Sequence, residues 1–218
     1  EKTTYEDCVT GGEQEATTTE PGTKSTPPKK PVAVTPPIKT NLSTYSNSEY
    51  TFQIQFPKTV TSQNFFTTFY NLPSNWKMNP SAANQGKAIV SFPVYRIDQG
   101  GVATGKNYPL FFVAELRIGV SPNTKACYEL DSSYSNQKAT DVTINGVAFK
   151  RFDFEDAAMM KYVKGSSYRT IHNNTCYVLE QIKAGSSYKD DTMKQGLSEA
   201  TLNSYYDQAG VILKTFKF

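Results

Sequence analysis

His172 is the only histidine in the chain, and Cys176 follows it four residues later, across an Asn173-Asn174 pair that reads as a turn. A histidine base beside a thiolate is one route to covalent catalysis, and a histidine beside a strand carboxylate such as Asp153 or Glu155 is a route to general-base chemistry. With one histidine, every triad-type scheme must pass through this residue. No G-x-S-x-G, H-E-x-x-H, P-loop or G-x-G-x-x-G string accompanies it, and Gly100, Gly101 and Gly105 lie in a hairpin connection that does not lead into a helix. The favoured reading of His172 is therefore a polar residue flanking a turn. An enzyme using His172 with a strand carboxylate stays as the alternative. No catalytic, cofactor-binding or metal-ligating residue is assigned.

The cysteines are Cys8, Cys127 and Cys176, an odd number that allows at most one intramolecular pair. Cys127 lies in the segment Pro122 to Leu130, expected as a short helix capped by Ser121 or Asn123, and Cys176 opens a strand. A Cys127–Cys176 disulfide would pin that surface segment to the sheet and would belong to an oxidising compartment; the other reading is two buried free thiols in a reducing one. A bonded Cys176 is no thiolate nucleophile. Zinc needs a C-x-x-C pair or a histidine cluster, and neither is present.

Carboxylates gather at Asp153, Glu155 and Asp156 and again at Asp190-Asp191. In Arg151 to Glu155 the charges alternate with Phe152 and Phe154, the pattern of a strand with one solvated face. A Ca2+ site would need oxygens from elsewhere in the chain. Tyrosine is abundant, 14 residues against one Trp. Tyr168, His172, Tyr205 and Tyr206 are the residues from which an amphipathic binding surface would be built. The competing reading makes tyrosine the half-buried filler of strands and helix.

These residues need a scaffold of strands. Tyr50 to Pro57 alternates strictly, with Phe52, Ile54 and Phe56 on one face. Lys87 to Asp98 and Leu110 to Val120 read as a long hairpin, with Pro93 marking an edge or a bulge. Asp141 to Ile144, Asn145-Gly146 and Val147 to Asp156 form a second hairpin, because Asn-Gly suits a type I′ turn. Tyr168 to His172 and Thr175 to Lys183 form a third, turning at Asn173-Asn174. Phe65 to Tyr70 reads as a short extended segment and Asn71 to Gln85 as a loop. Leu202, Tyr205, Tyr206, Ala209, Ile212, Leu213 and Phe216 recur at helical spacing behind Ser198 as N-cap. Six or so antiparallel strands with a late helix make the fold class α+β.

A different physical class precedes this scaffold. Residues 1–44 hold one aromatic, Tyr5, and between Glu20 and Thr40 six prolines stand among Thr and Lys. Such a stretch buries too little apolar surface to offset its ordering entropy, so 1–44 reads as a disordered Pro/Thr-rich tether and 45–218 as a single globular domain. An extended tether from Glu20 to Thr44 would reach on the order of 70 Å. The domain carries 18 basic against 14 acidic residues, scattered singly. This is no nucleic-acid footprint, which needs a concentrated basic stripe. No apolar run is long enough to span a bilayer.

Three strings carry a resemblance: Tyr45-Ser46-Asn47-Ser48-Glu49-Tyr50-Thr51-Phe52 leading to Phe56-Pro57, His172-Asn173-Asn174-Thr175-Cys176-Tyr177, and Ile212-Leu213-Lys214-Thr215-Phe216-Lys217-Phe218. Together they resemble a pattern in uncharacterised bacterial envelope proteins of the PsbP-like group, over most of residues 45–218. The resemblance implies an antiparallel sheet flanked by helices, an α/β/α sandwich, in an exported and membrane-tethered chain. Thr51 departs from the pattern, standing where related chains commonly have Gly. Thr4 to Gly12 is similar to a short N-terminal cysteine motif of small bacterial exported proteins, whose second cysteine is missing here. Cys8 is then unpaired within the chain or bonded to another molecule. The expectation is an exported, extracytoplasmic protein, tethered or secreted, whose domain is a non-catalytic binding or assembly module for an envelope protein or a small ligand. It would need no cofactor and bind no nucleic acid. A surface adhesin or filament component is the second alternative.

Overall fold

The computed structural model describes residues 41–64, 86–99, 110–129, 138–158, 161–186 and 199–218. Cys8, the tether up to Thr40, Phe65 to Tyr70, Asn71 to Gln85, Asp190-Asp191 and Ser198 lie outside the described residues. Eight strands and one α-helix make up the described fold: β1 (Leu42–Asn47), β2 (Phe52–Pro57), β3 (Lys87–Gln99), β4 (Leu110–Ser121), β5 (Thr140–Ile144), β6 (Val147–Ala158), β7 (Lys161–His172), β8 (Thr175–Ser186) and α1 (Glu199–Leu213). β3 to β8 form one antiparallel sheet in the order β3-β4-β8-β7-β6-β5, and β1-β2 form a separate ribbon. The α+β class with an antiparallel sheet is therefore present. β1 begins at Leu42, so Leu42 to Thr44, assigned above to the tether, are paired strand residues.

The turns follow from their residues. Asn145 (φ 46°) and Gly146 (φ 80°) take the two left-handed conformations of the β5-β6 turn, and Asn173 and Asn174 do so (φ 46° and 58°) between β7 and β8. Asn tolerates this region because its side chain bonds locally. Thr51 also has a positive φ, 49°, which is why a glycine suits that position. The bulge expected at Pro93 is a register shift between Pro93 and Tyr95. A proline supplies no N–H to the ladder, so pairing gives way there.

The main core lies on one face of the large sheet. β2 alternates as expected, burying Phe52, Ile54 and Phe56 and exposing Gln53 and Gln55. These side chains meet Phe92, Leu116, Ile118 and Leu179 from the sheet and Ala209, Ile212 and Leu213 from α1. Burying each large apolar side chain stabilises by roughly 1.5–3 kcal/mol. Phe216 falls beyond the helix, in the turn that ends it, but still fills the core by stacking on Phe52 at 5.4 Å. Lys217 then bridges to Gln53, sealing the ribbon to the chain end.

The opposite face carries a charged belt. Ser91, Arg117, Glu180 and Ser167 stand directly opposite one another across β3, β4, β8 and β7. Arg117 donates from Nε to the Glu115 carboxylate, and both are essentially fully buried. Such a pair persists because each charge has an opposite partner; removing either would leave a buried charge exposed to a low dielectric.

One expectation needs correction. Of the segment Pro122 to Leu130, expected as a helix, the described residues 122–129 are instead a run of tight turns, with Cys127 N–H donating to the Thr124 carbonyl and Glu129 N–H to the Ala126 carbonyl. Asn123 still caps, its Oδ1 accepting from Ala126 N–H at 3.2 Å. The disulfide and the Arg169 bonds described below tie Cys127 and Glu129 of this strap to the sheet. Among the described residues α1 is the one α-helix.

Candidate binding surface

Among the described elements α1 packs chiefly on β4, β8, β3 and β2. The corresponding face of β6 and β7 lies beside the helix, as a shelf. Register decides what the shelf presents: Arg151 stands opposite Tyr168, Asp153 opposite Ser166, and Glu155 opposite Lys164. Three polar pairs in succession replace the apolar pairs found under the helix.

Asp153 is the hub. Its Oδ1 accepts from Arg151 Nε at 2.8 Å, from Arg151 Nη2 at 2.7 Å and from Ser166 Oγ at 2.5 Å. Ser166 is buried, and its hydroxyl also bonds the side chain of Tyr206, reaching down from α1. The Arg151 guanidinium lies 5.8 Å from the centre of the Tyr168 ring, and Lys183 Nζ lies 5.4 Å from that of Tyr206. Gln181 fixes the helix at this point, donating from Nε2 to the Tyr206 carbonyl at 2.9 Å. Lys164 donates to Glu155 at 2.8 Å along the outer edge.

Burial raises the Tyr206 hydroxyl above its ordinary value, so it stays a neutral hydrogen-bonding group. For Arg151, burial is the largest single influence and works against the charge, but the bond to Asp153 together with the electrostatic contributions of Tyr168, Asp153 and Tyr206 makes the net shift upward. The Lys164 ammonium is likewise held up by its bond to Glu155.

Of the four residues from which a surface was expected, the structure brings two together. Tyr168 and Tyr206 flank the Arg151–Asp153–Ser166 cluster. Tyr205 points off the other flank of α1, stacked on Tyr95 with ring centres 4.1 Å apart. His172 is at the far end of β7, its ring stacked on Phe218 at 3.8 Å. It lies six residues along the strand from Ser166, the partner of Asp153, which is about 20 Å at strand rise. Glu155, opposite Lys164, is two residues farther away. The structure thus does not bring His172 together with Asp153 or Glu155, and Cys176 projects from the other face of the sheet.

Cys127 and Cys176 are joined, with S–S 2.02 Å and Cα atoms 5.6 Å apart. Both sulfurs are buried with Ala126 and Val178 on the face opposite α1. Arg169 supplies a second tie, donating from Nη1 to the carbonyls of Cys127 at 3.1 Å and Glu129 at 2.7 Å, and from Nε to Ser167 at 3.2 Å. Its guanidinium also lies 5.4 Å from the centre of the Phe152 ring. Burial pushes the Arg169 charge down in pKa, against the attraction of Glu180. Among the described residues no group of three His, Cys, Asp or Glu side chains is placed to hold a metal. No helix among them is long and apolar enough to cross a membrane.

The sequence pattern marks Arg151, Asp153 and Glu155 as a solvated strand face but carries no sign of Ser166 as their partner. The alternation was legible, but the partner depends on the β6-β7 register, which no turn residue announces.

No protein-family model matches the chain, and no curated protein does. Among solved structures, the chain is similar to the solution structure of cyanobacterial PsbP from Synechocystis sp. PCC 6803, with 11% identity and a TM-score of 0.37, over 81% of this chain and 91% of that one.

Proposed function

We propose that the chain is a non-catalytic binding or assembly module that works outside the cytoplasm, its domain held on the Pro/Thr-rich segment as a spacer. The observation that carries this reading is the disulfide between Cys127 and Cys176, which ties a surface strap to the central strand β8. Structural disulfides between buried sulfurs belong to oxidising compartments, where they are not reduced by thiol buffers. The placement of His172 supports the non-catalytic part. A general base must come within hydrogen-bond reach of its partner, and this ring is packed on Phe218, about 20 Å from Asp153. The shelf beside Tyr206 is the surface offered for binding. It combines ring faces with fixed donors and acceptors, the mixture that recognises polar ligands.

Two measurements on the cells that make the protein test this. Alkylation before lysis, followed by peptide mapping without reductant, should recover the Cys127 and Cys176 peptides joined. Protease added to intact cells should cut the Pro/Thr-rich segment and release the domain. Recovery of both cysteines singly alkylated, with the segment untouched until lysis, would overturn the proposed location.

A further inference from the structure

We infer that Asn145 is a site of spontaneous deamidation, held as the amide by the docked segment Lys214 to Lys217 and converted once that segment lifts. The inference stands apart from the proposed binding role and location.

Sequence and turn geometry supply the reactive pair. Asn145-Gly146 is the one Asn-Gly step in the chain. In such a step the glycine nitrogen attacks the side-chain carbonyl carbon of the asparagine, and no side chain stands beside that nitrogen to hinder it. Both residues are exposed at the β5-β6 turn. A Cβ added at Gly146 would meet nothing within 4 Å, so the turn is open to water on that side.

The reaction needs only water to balance. A bond forms between Gly146 N and Asn145 Cγ, the bond from Cγ to Nδ2 breaks, and Nδ2 leaves as ammonia with the proton given up by Gly146 N. Water then opens the cyclic imide at either carbonyl, leaving an aspartate or an isoaspartate at position 145.

The fold opposes the first step. Asn145 Nδ2 donates to both the Lys214 and the Phe216 carbonyls, each at 3.1 Å, and ammonia cannot leave without breaking both bonds. Those acceptors are firmly placed. Phe216 is fully buried, stacked on Phe52 at 5.4 Å and set edge-on to Phe149 at 5.9 Å. Lys217 exchanges backbone bonds with Gln53, at 2.8 and 3.0 Å. The amide is therefore kept from Gly146 N while residues 214–217 stay docked.

Conversion also acts back on the core. A carboxylate accepts and donates nothing, so the product sets an anion against two carbonyl oxygens that have lost their donor. Isoaspartate in addition inserts a methylene into the backbone of a two-residue turn closed by the Ile144–Val147 pair. Either product loosens the segment that carries Phe216 into the core, and refolding does not reverse it.

The test incubates the full chain in mildly alkaline buffer, with and without urea above its midpoint. Each asparagine is followed by peptide mapping, and isoaspartyl methyltransferase labelling counts the isoaspartate. In urea, Asn145 should convert faster than Asn173, Asn174 or any other asparagine. In the folded chain it should convert at least about ten-fold more slowly than in urea, as expected for the loss of two ordinary hydrogen bonds. Phe216→Leu, which loosens the docked segment, should speed conversion in the folded chain. A melting curve shows whether that variant folds; if it does not, Lys217→Pro, which removes the Lys217 N–H bond to Gln53, takes its place. N145D should melt below N145G, because it adds repulsion where N145G only deletes the bonds. Equal Asn145 rates with and without urea overturn the inference, as does an Asn145 rate in urea no greater than that of Asn173. Unchanged conversion in the folded loosened variant overturns it too, and N145D as stable as N145G overturns the coupling to the core.

Discussion

Removing the Cys127–Cys176 bond should destabilise the domain chiefly by freeing the unfolded chain. The bonded residues are 49 apart in sequence, and closing a loop of that size costs the denatured ensemble about 4 kcal/mol on the chain-entropy model. Substituting both with alanine adds a packing loss of about 1 kcal/mol, because both sulfurs are fully buried. For a domain of this size, each kcal/mol moves the melting temperature by about 2–4 °C, so the double variant should melt about 10–20 °C lower. Its fold should persist, since the Arg169 bonds to the Cys127 and Glu129 carbonyls remain. Urea titrations followed by fluorescence and near-ultraviolet circular dichroism give both the midpoint and the slope. The midpoint should fall and the slope should rise, because an uncrosslinked unfolded chain exposes more surface. A loss under about 1 kcal/mol would refute the reasoning. So would a lower midpoint with an unchanged slope, which would put the effect in native packing instead.

Gly165 has no room for a side chain: a Cβ there would press on the Gln181 carbonyl oxygen and come within 2.8 Å of Phe154 Cζ. Gly165→Ala should therefore cost about 1–3 kcal/mol or more in urea denaturation, and a neutral result would mean that β7 and β8 are farther apart than described. Asn145 Nδ2 donates to the carbonyls of Lys214 and Phe216, both at 3.1 Å, tying the β5-β6 turn to the end of the core. Asn145→Gly keeps the left-handed turn and deletes only those bonds, so a loss of about 1–2 kcal/mol is expected; an unchanged midpoint would show that water replaces them. Burial raises the Tyr95, Tyr177 and Tyr206 hydroxyls above 10.0. Their contribution to stability is fully present below the unfolded value and is lost as pH rises through the folded ones, and the raised Lys164 acts in the same sense. The urea midpoint should thus fall between pH about 9.5 and about 11.5, with tyrosinate absorbance appearing as the protein unfolds; a midpoint flat over that range would contradict it.

Much of the scaffold was legible because it rests on local rules. Strict alternation from Phe52 to Phe56 specifies a half-buried strand, Asn145-Gly146 and Asn173-Asn174 specify tight turns, and the Leu202 to Leu213 spacing specifies a helix with one apolar side. Cysteine count and placement pointed to the Cys127–Cys176 pair on the same footing. The exception is set by contacts from distant parts of the chain. The 122–129 strap has helix-compatible residues, yet its C-terminal part is tied to the sheet by a disulfide and by Arg169, contacts that lie 40 to 49 residues away in sequence.

Tertiary structure alone decided which polar residues share a site. Arg151 and Asp153 carry their own signal of a wet strand face, but Ser166 and Tyr206 join them only through the β6-β7 register and the line that α1 takes across the sheet. The same placement separates Tyr205 from Tyr206, adjacent in sequence and on opposite flanks of one helix, and carries His172 to the far end of its strand. Side-chain type and spacing set what each residue is able to do. Which neighbours it does it with depends on pairings between distant segments, and those are set by the burial of the whole sheet rather than by any short stretch of chain.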